Sequence, residues 1–290
     1  MSLQAPVTKL NPLTAYMRQP KIYIKLPSGG NFWAPRSIEI PENGELPIYS
    51  MTAKDELLFK TPDALLNGQS IVDVIQSCVP SIKNAWMMPT IDLDTLLIAI
   101  RIATYGDKMP FSVKVPVVNE DLEFEVDLRQ LLDQQFNTVT WDEVVTISDD
   151  MAVLVKPLTY KHMTQVSIKS FETQRILDMV NDDSISDEKK LEIFNGSFSN
   201  LTQVTVDLLA DSISKIVIAE AEVTDPKHIK DFISNADKDI FAVIKAHIDQ
   251  MKKTNELKPF EIATTLEQQA AGAPETFEVP LNFDNSNFFG

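Results

Sequence analysis

Cysteine is nearly missing from this chain of 290 residues, with Cys78 standing alone. One thiol excludes an intrachain disulfide and any cysteine zinc cluster, and such usage fits a reducing compartment. Glycine is scarce, at eight residues, which leaves little room for phosphate-cradling loops. Gly29-Gly30 reads as a turn, because no helix opening with Lys and Ser or Thr follows it. The three histidines, His162, His228 and His247, form neither a His-x-x-x-His nor a His-Glu-x-x-His pattern. Each reads as a surface or hydrogen-bonded side chain. Bases are in deficit, 26 against 42 acids, for a formal net charge of −16. That field repels a nucleic-acid backbone and an anionic membrane alike. No apolar run approaches the roughly 20 residues that cross a bilayer, and residues 1–10 lack the apolar segment of a secretion signal.

What the chain does have is a core. Hydrophobic residues make up 44% of it. Their densest stretch lies within residues 89–106, PTIDLDTLLIAIRIATYG, where 93–103 is broken only by Asp94, Thr95 and Arg101. A helix apolar on all sides belongs inside a protein. Asp92 or Thr90 suits its start and Gly106, in the left-handed conformation, its end. Arg101 is its one cation, to be paired with a carboxylate or carried to the surface.

The rest divides into four stretches. Residues 1–20, with Pro6, Pro12 and Pro20, form an extended arm. Residues 21–158 form an α/β core domain. It opens with short strands at 21–26, 32–33, 36–40 and 46–49, and continues with helices at 55–60 and 70–79. The helix at 55–60 opens on Thr52-Ala53-Lys54-Asp55, a capping box with Asp in place of Glu. A β-hairpin at 111–118 and 122–128, a short helix at 127–135 and strands at 139–147 and 151–156 complete it. Residues 159–258 are helical, with Asn195-Gly196-Ser197 breaking one helix before another over 201–221. Residues 259–290 return to a β-hairpin and an aromatic tail. The fold class is α+β: a small N-terminal β unit and core helices, with β-hairpins flanking a long helical middle.

The two hairpins echo each other. Pro110-Phe111-Ser112-Val113 with Phe124-Glu125-Val126-Asp127-Leu128 is matched in outline by Pro259-Phe260-Glu261-Ile262 with Phe277-Glu278-Val279-Pro280-Leu281. In many proteins such hairpins carry Cys-x-x-Cys pairs as zinc ribbons. Valines, threonines and acids stand there in this chain, so no metal and no cofactor is expected. Asp149-Asp150 and Asp182-Asp183 lack the spacing of a calcium loop and read as solvated turns. Cys78, at an apolar helix position, reads as a small core residue. Phe277, Phe283, Phe288 and Phe289 crowd the last fourteen residues. Aromatics at a chain end are buried against the chain's own core or grip a partner, and both readings stand.

Several blocks follow one another in a recognisable order. They are Leu26-Pro27-Ser28-Gly29-Gly30, then Thr52-Ala53-Lys54-Asp55-Glu56-Leu57-Leu58, then Leu65-Leu66-Asn67-Gly68 with Val74-Ile75-Gln76-Ser77-Cys78-Val79. The densest is Asp92-Leu93-Asp94 with Leu96-Leu97-Ile98-Ala99-Ile100-Arg101-Ile102-Ala103-Thr104-Tyr105-Gly106, and Leu281-Asn282-Phe283-Asp284 with Asn287-Phe288-Phe289 closes the chain. In order and spacing they resemble the baseplate-hub protein family of T-even-like contractile-tailed phages, hub subunits and hub assembly proteins included. The likeness covers about residues 21–130 and, more thinly, the C-terminus. It implies a non-enzymatic structural protein of the virion tail baseplate, assembled in the host cytoplasm. Its implied partners are other tail proteins, the hub or tape-measure proteins among them, with no nucleic acid and no membrane. Two rival readings stand beside it. One is a chaperone for the hub or tape-measure protein that leaves before maturation. The other is a hydrolase, which requires convergent carboxylates with shifted protonation.

Overall fold

The computed structural model describes residues 13, 16–59, 68–180 and 186–279. Its fold is mixed α+β, with four small antiparallel sheets and helices of five to 25 residues.

The first core forms around the helix that the apolar run encodes. Strands β1 (Pro20–Ile24) and β2 (Leu46–Tyr49) pair antiparallel. Helices α1 (Ala53–Phe59) and α2 (Gln69–Cys78) follow, and α3 (Leu93–Tyr105) enters from a 3-10 turn at Thr90–Asp92. Every α3 residue from Thr95 to Ala103 is buried. Leu96, Ile98 and Ile100 are fully enclosed, together with Leu46, Ile48, Val74 and Ile75. Each such side chain contributes about 1.5–3 kcal/mol by leaving water. The strands expected at 32–33 and 36–40 are turns, with one isolated bridge, Ile38 to Ile82. Phe32 and Arg36 both take φ of 67°, outside the β region, so no ladder propagates there.

Strands β3 (Lys108–Lys114) and β4 (Asp121–Asp127) form the first hairpin, with Phe111 opposite Phe124 and their rings stacked at 5.6 Å. Helix α4 (Leu128–Thr138) starts at once, because the Asp127 carboxylate accepts the backbone N–H groups of Arg129 and Gln130.

A second core lies beyond it. Strands β5 (Val144–Ser148), β6 (Met151–Val155), β7 (Ile213–Ile218) and β8 (Ala221–Val223) make a four-stranded antiparallel sheet in chain order. Between β6 and β7 run two long helices, α5 (Tyr160–Val180) and α6 (Asp187–Asp211). Helices α7 (Pro226–Asn235) and α8 (Lys238–Asn255) cover the sheet with Ile229, Ile233, Ile244 and Ile248, spaced four apart on each helix.

Three expectations fail here. Strand β5 starts at Val144 and not at 139. The segment 201–221 is not one helix: α6 stops at Asp211 and 213–218 is strand. Ile213, Ile216, Val217 and Ile218 are β-branched, and four pairing positions on Met151–Leu154 outweigh helical spacing. Asn195-Gly196-Ser197 does not break α6 either. A helical glycine costs about 1 kcal/mol relative to alanine, too little to interrupt a helix of 25 residues.

The chain then returns to the first core. Strands β9 (Phe260–Ala263) and β10 (Thr276–Val279) pair antiparallel with α9 (Leu266–Ala270) between them. Leu257 and Phe260 pack against the first core, and Gln268 Nε2 donates to Glu120 Oε2 at 3.3 Å. The two hairpins differ in register. Phe111 faces Phe124, whereas Phe260 faces Val279 and Phe277 faces Ile262. The sequence echo is therefore offset by two residues in space, which preserves the faces but not the partners.

Candidate functional site

Arg101 sits inside the core helix with only 8% of its surface exposed. Its guanidinium lies over the Tyr105 ring at 4.8 Å, and Nε approaches Met109 Sδ at 3.4 Å. Burial lowers its pKa. The Tyr105 ring is partly exposed and its hydroxyl bonds to Glu56, so the cation is led towards the surface through an aromatic face. Gly106 ends α3 with its N–H bonded to Ile102 C=O at 3.0 Å. Its φ of 93° is positive, but ψ of 178° places it outside the left-handed helical well. This is a region that only glycine enters readily.

Asp92 stands at the N-cap position of α3 yet makes no side-chain cap bond. Its carboxylate instead accepts three bonds from the β unit: Ser28 N–H at 2.9 Å, Ser28 hydroxyl at 2.6 Å and Trp33 Nε1–H at 2.8 Å. Burial pushes its pKa up to about 6, while those donors pull it back. A second carboxylate, Asp55, joins the other side of the same core. Thr52 donates to Asp55 Oδ2 through its N–H at 2.7 Å and its hydroxyl at 2.8 Å, and Asp55 N–H returns a bond at 3.2 Å. Ser77 hydroxyl adds a bond at 3.0 Å and Arg18 an ion pair at 3.7 Å.

Arg18 has no signal in the sequence, since it lies in a stretch with no periodicity. In the structure it also donates to Ser50 C=O at 2.7 Å and Ser77 C=O at 2.6 Å, and lies 5.7 Å from the Tyr49 ring. It staples the arm to β2 and α2. Cys78 is fully buried beside it, its thiol pushed up to about 12, first by burial and then by Asp55. A thiol held that far from ionisation is a core residue and not a nucleophile.

Asp94 is the exception to this pairing. It faces a cleft of about 360 Å³ between the first turn of α3, Trp141, Met163 on α5, Leu208 on α6 and Lys252 on α8. Desolvation pushes its carboxyl up to about 6. One residue on, the buried Thr95 hydroxyl has no hydrogen-bond partner among the described residues. The same cleft is lined by a second carboxylate, Glu256, and by Lys252, Asn255, Ser167 and Thr90, so Asp94 shares it with both signs of charge.

The histidines are dispersed. His162 Nδ1 meets Thr159 Oγ1 at 3.1 Å, His247 Nε2 meets Asp142 C=O at 2.9 Å, and His228 is exposed. No group of three His, Cys, Asp or Glu side chains with metal-binding geometry occurs among the described residues. Phe277 is half-buried in its own hairpin opposite Ile262. Phe283, Phe288 and Phe289 lie outside the described residues.

Residues 19–269 match the family described as T4 bacteriophage base plate protein. The chain belongs to that family. The match runs from the foot of β1 through both cores to α9. As a T4-type baseplate protein, it is a structural component of a phage tail, in contact with other tail proteins. The family's structural role points to a non-enzymatic protein. No curated protein and no solved structure matches the chain. Among the described residues, no helix of this baseplate protein is long and apolar enough to cross a membrane.

Proposed function

We propose that this baseplate protein is a subunit of the hub, built into the contractile tail and acting through protein–protein contacts during assembly. The observation that carries the reading is the family match across residues 19–269. Two of the sequence blocks that resemble hub proteins are bonded to each other, through Ser28 and Asp92. The buried carboxylates Asp92 and Asp55 are consumed in joining elements, which is what a rigid structural subunit needs. Phe277, Phe283, Phe288 and Phe289 are the proposed aromatic grip on a neighbour.

Mass spectrometry of purified intact particles, with copy number, tests this. A fixed number of copies per baseplate supports the hub subunit. Absence from mature particles, in a phage that needs the gene to assemble tails, replaces it with the chaperone for the hub or tape-measure protein. Turnover of cell-wall polymer by the isolated protein would overturn both.

A further inference from the structure

Two sheet edges face one groove. Its volume is about 380 Å³, and it is lined by four consecutive residues of β4, Phe124 to Asp127, by three of β9, Phe260 to Ile262, and by Gln130, Leu131 and Gln134 of α4. Side chains alternate across a strand. A run of consecutive residues therefore borders a groove only where the strand's edge is turned towards it. Among the described residues, each strand has a single neighbour, β3 for β4 and β10 for β9.

The ladder fixes which backbone groups point outward. Leu128 N–H bonds Asp107 C=O and Val115 N–H bonds Glu120 C=O. In an antiparallel pair the bonded residues alternate, so Leu122, Phe124 and Val126 point their backbone groups at β3. Glu123 and Glu125 point theirs away. Likewise Thr264 N–H bonds Glu275 C=O. Phe260 and Ile262 therefore face β10, while Glu261 and Ala263 face away. Among the described residues, none of these four outward-facing residues has another backbone partner. Their side chains lie on the exposed face.

We infer that the groove takes an extended segment of a partner protein, which pairs with β4 on one side and β9 on the other. The five strands would run β3, β4, partner, β9, β10. Strand addition of this kind draws its affinity from main-chain bonds and its selectivity from alternate side chains. The partner's inward residues would be apolar, level with Phe124 and Val126 and with Phe260 and Ile262. Its outward residues would be basic, set between Glu123 and Glu125 on one side and Glu261 on the other. Lys108 already pairs with Glu125 at 3.6 Å and with Asp127 at 3.5 Å, whereas among the described residues Glu123 and Glu261 are in no ion pair. A second copy is a poor occupant, because acids along an edge oppose self-pairing and each chain carries −16.

The site is read from strand edges and does not require the hub assignment. Its test accordingly uses the isolated full-length protein. The probe is a nine-residue peptide alternating valine and lysine, acetylated and amidated. Two control peptides accompany it, one with N-methyl groups at alternate residues and one with glutamate in place of lysine. Hydrogen exchange is expected to show the Glu125 and Glu261 amides becoming protected with the lysine peptide only. Glu261→Pro removes an outward N–H without touching the β9–β10 ladder and is expected to weaken binding at least about tenfold. Glu123→Lys with Glu261→Lys, which keeps every backbone group, is expected to do the same by charge. Unchanged exchange at both amides overturns the proposal. So does equal binding of the N-methylated peptide, or protection that arises without peptide in a concentration-dependent dimer. Absence of the protein from particles would remove the hub assignment and leave this result standing.

Discussion

Ser28 and Asp92, separated by 64 positions, are joined twice: the Ser28 N–H meets Oδ1 at 2.9 Å and its hydroxyl meets Oδ2 at 2.6 Å. The pair fixes the turn after β1 to the entrance of α3. Trp33 adds a third donor. Asp92→Ala would leave all three donors in a buried place without an acceptor. The expected loss is about 3–5 kcal/mol, read from urea unfolding. Ser28→Ala removes one hydroxyl and is expected to cost about 1–3 kcal/mol.

Asp94 sets a pH dependence of definite sign. Its carboxyl is raised from 3.8 to about 6 in the folded protein. The folded state therefore holds a proton that the unfolded chain has released. That contribution to stability is complete below the unfolded value and fades as pH rises through about 6. Asp94→Asn, which never ionises, is expected to match the wild type near pH 4. It should exceed the wild type in stability by about 1 kcal/mol or more above pH 7, after solvent screening is allowed for. Thermal unfolding at a series of pH values checks this; a constant difference across the range would contradict it.

Gly68 carries a steric prediction. It has φ of 74°, and a Cβ there would lie 2.9 Å from Thr164 Oγ1 and 3.0 Å from the Tyr160 hydroxyl. Gly68→Ala forces α5 away from the start of α2 and strains the backbone as well. Gly106→Ala, also at positive φ, meets nothing within 4 Å. The first is expected to cost more than the second, whose backbone strain alone is about 1–3 kcal/mol. Denaturation midpoints of the two variants give the comparison directly.

Cys78 is a reporter of opening. With its thiol fully buried and pushed up to about 12, labelling by a thiol reagent should track unfolding of the first core. Arg18→Ala frees the arm from Ser50, Ser77 and Asp55. It is expected to raise the labelling rate severalfold while the midpoint of global unfolding moves by less than that of Asp92→Ala.

The core helix, the first hairpin and the helices after residue 225 were legible because their apolar spacing is long and regular. Residues 213–218 were not. Ile216 fits a helical stripe as well as a strand, and only the sheet that forms around β6 decides between them. Position along the chain suits Asp92 or Thr90 to the helix start, but the donors that claim Asp92, on Ser28 and Trp33, lie on a distant turn. Arg18 offered no local pattern at all. The groove between β4 and β9 depends on two segments more than 130 residues apart, Phe124 and Phe260 among them. No window along the chain contains both.

The return of β9 to the first core bears on how the polypeptide is made. Leu257 and Phe260 pack against the first core, and Phe260 lines one groove with Phe124, Val126 and Leu131. During translation the surface they pack against stays open to water until nearly nine-tenths of the chain has left the ribosome. A nascent chain stalled before residue 257 presents an uncapped apolar face, so premature termination yields a fragment prone to aggregate, not a smaller working subunit.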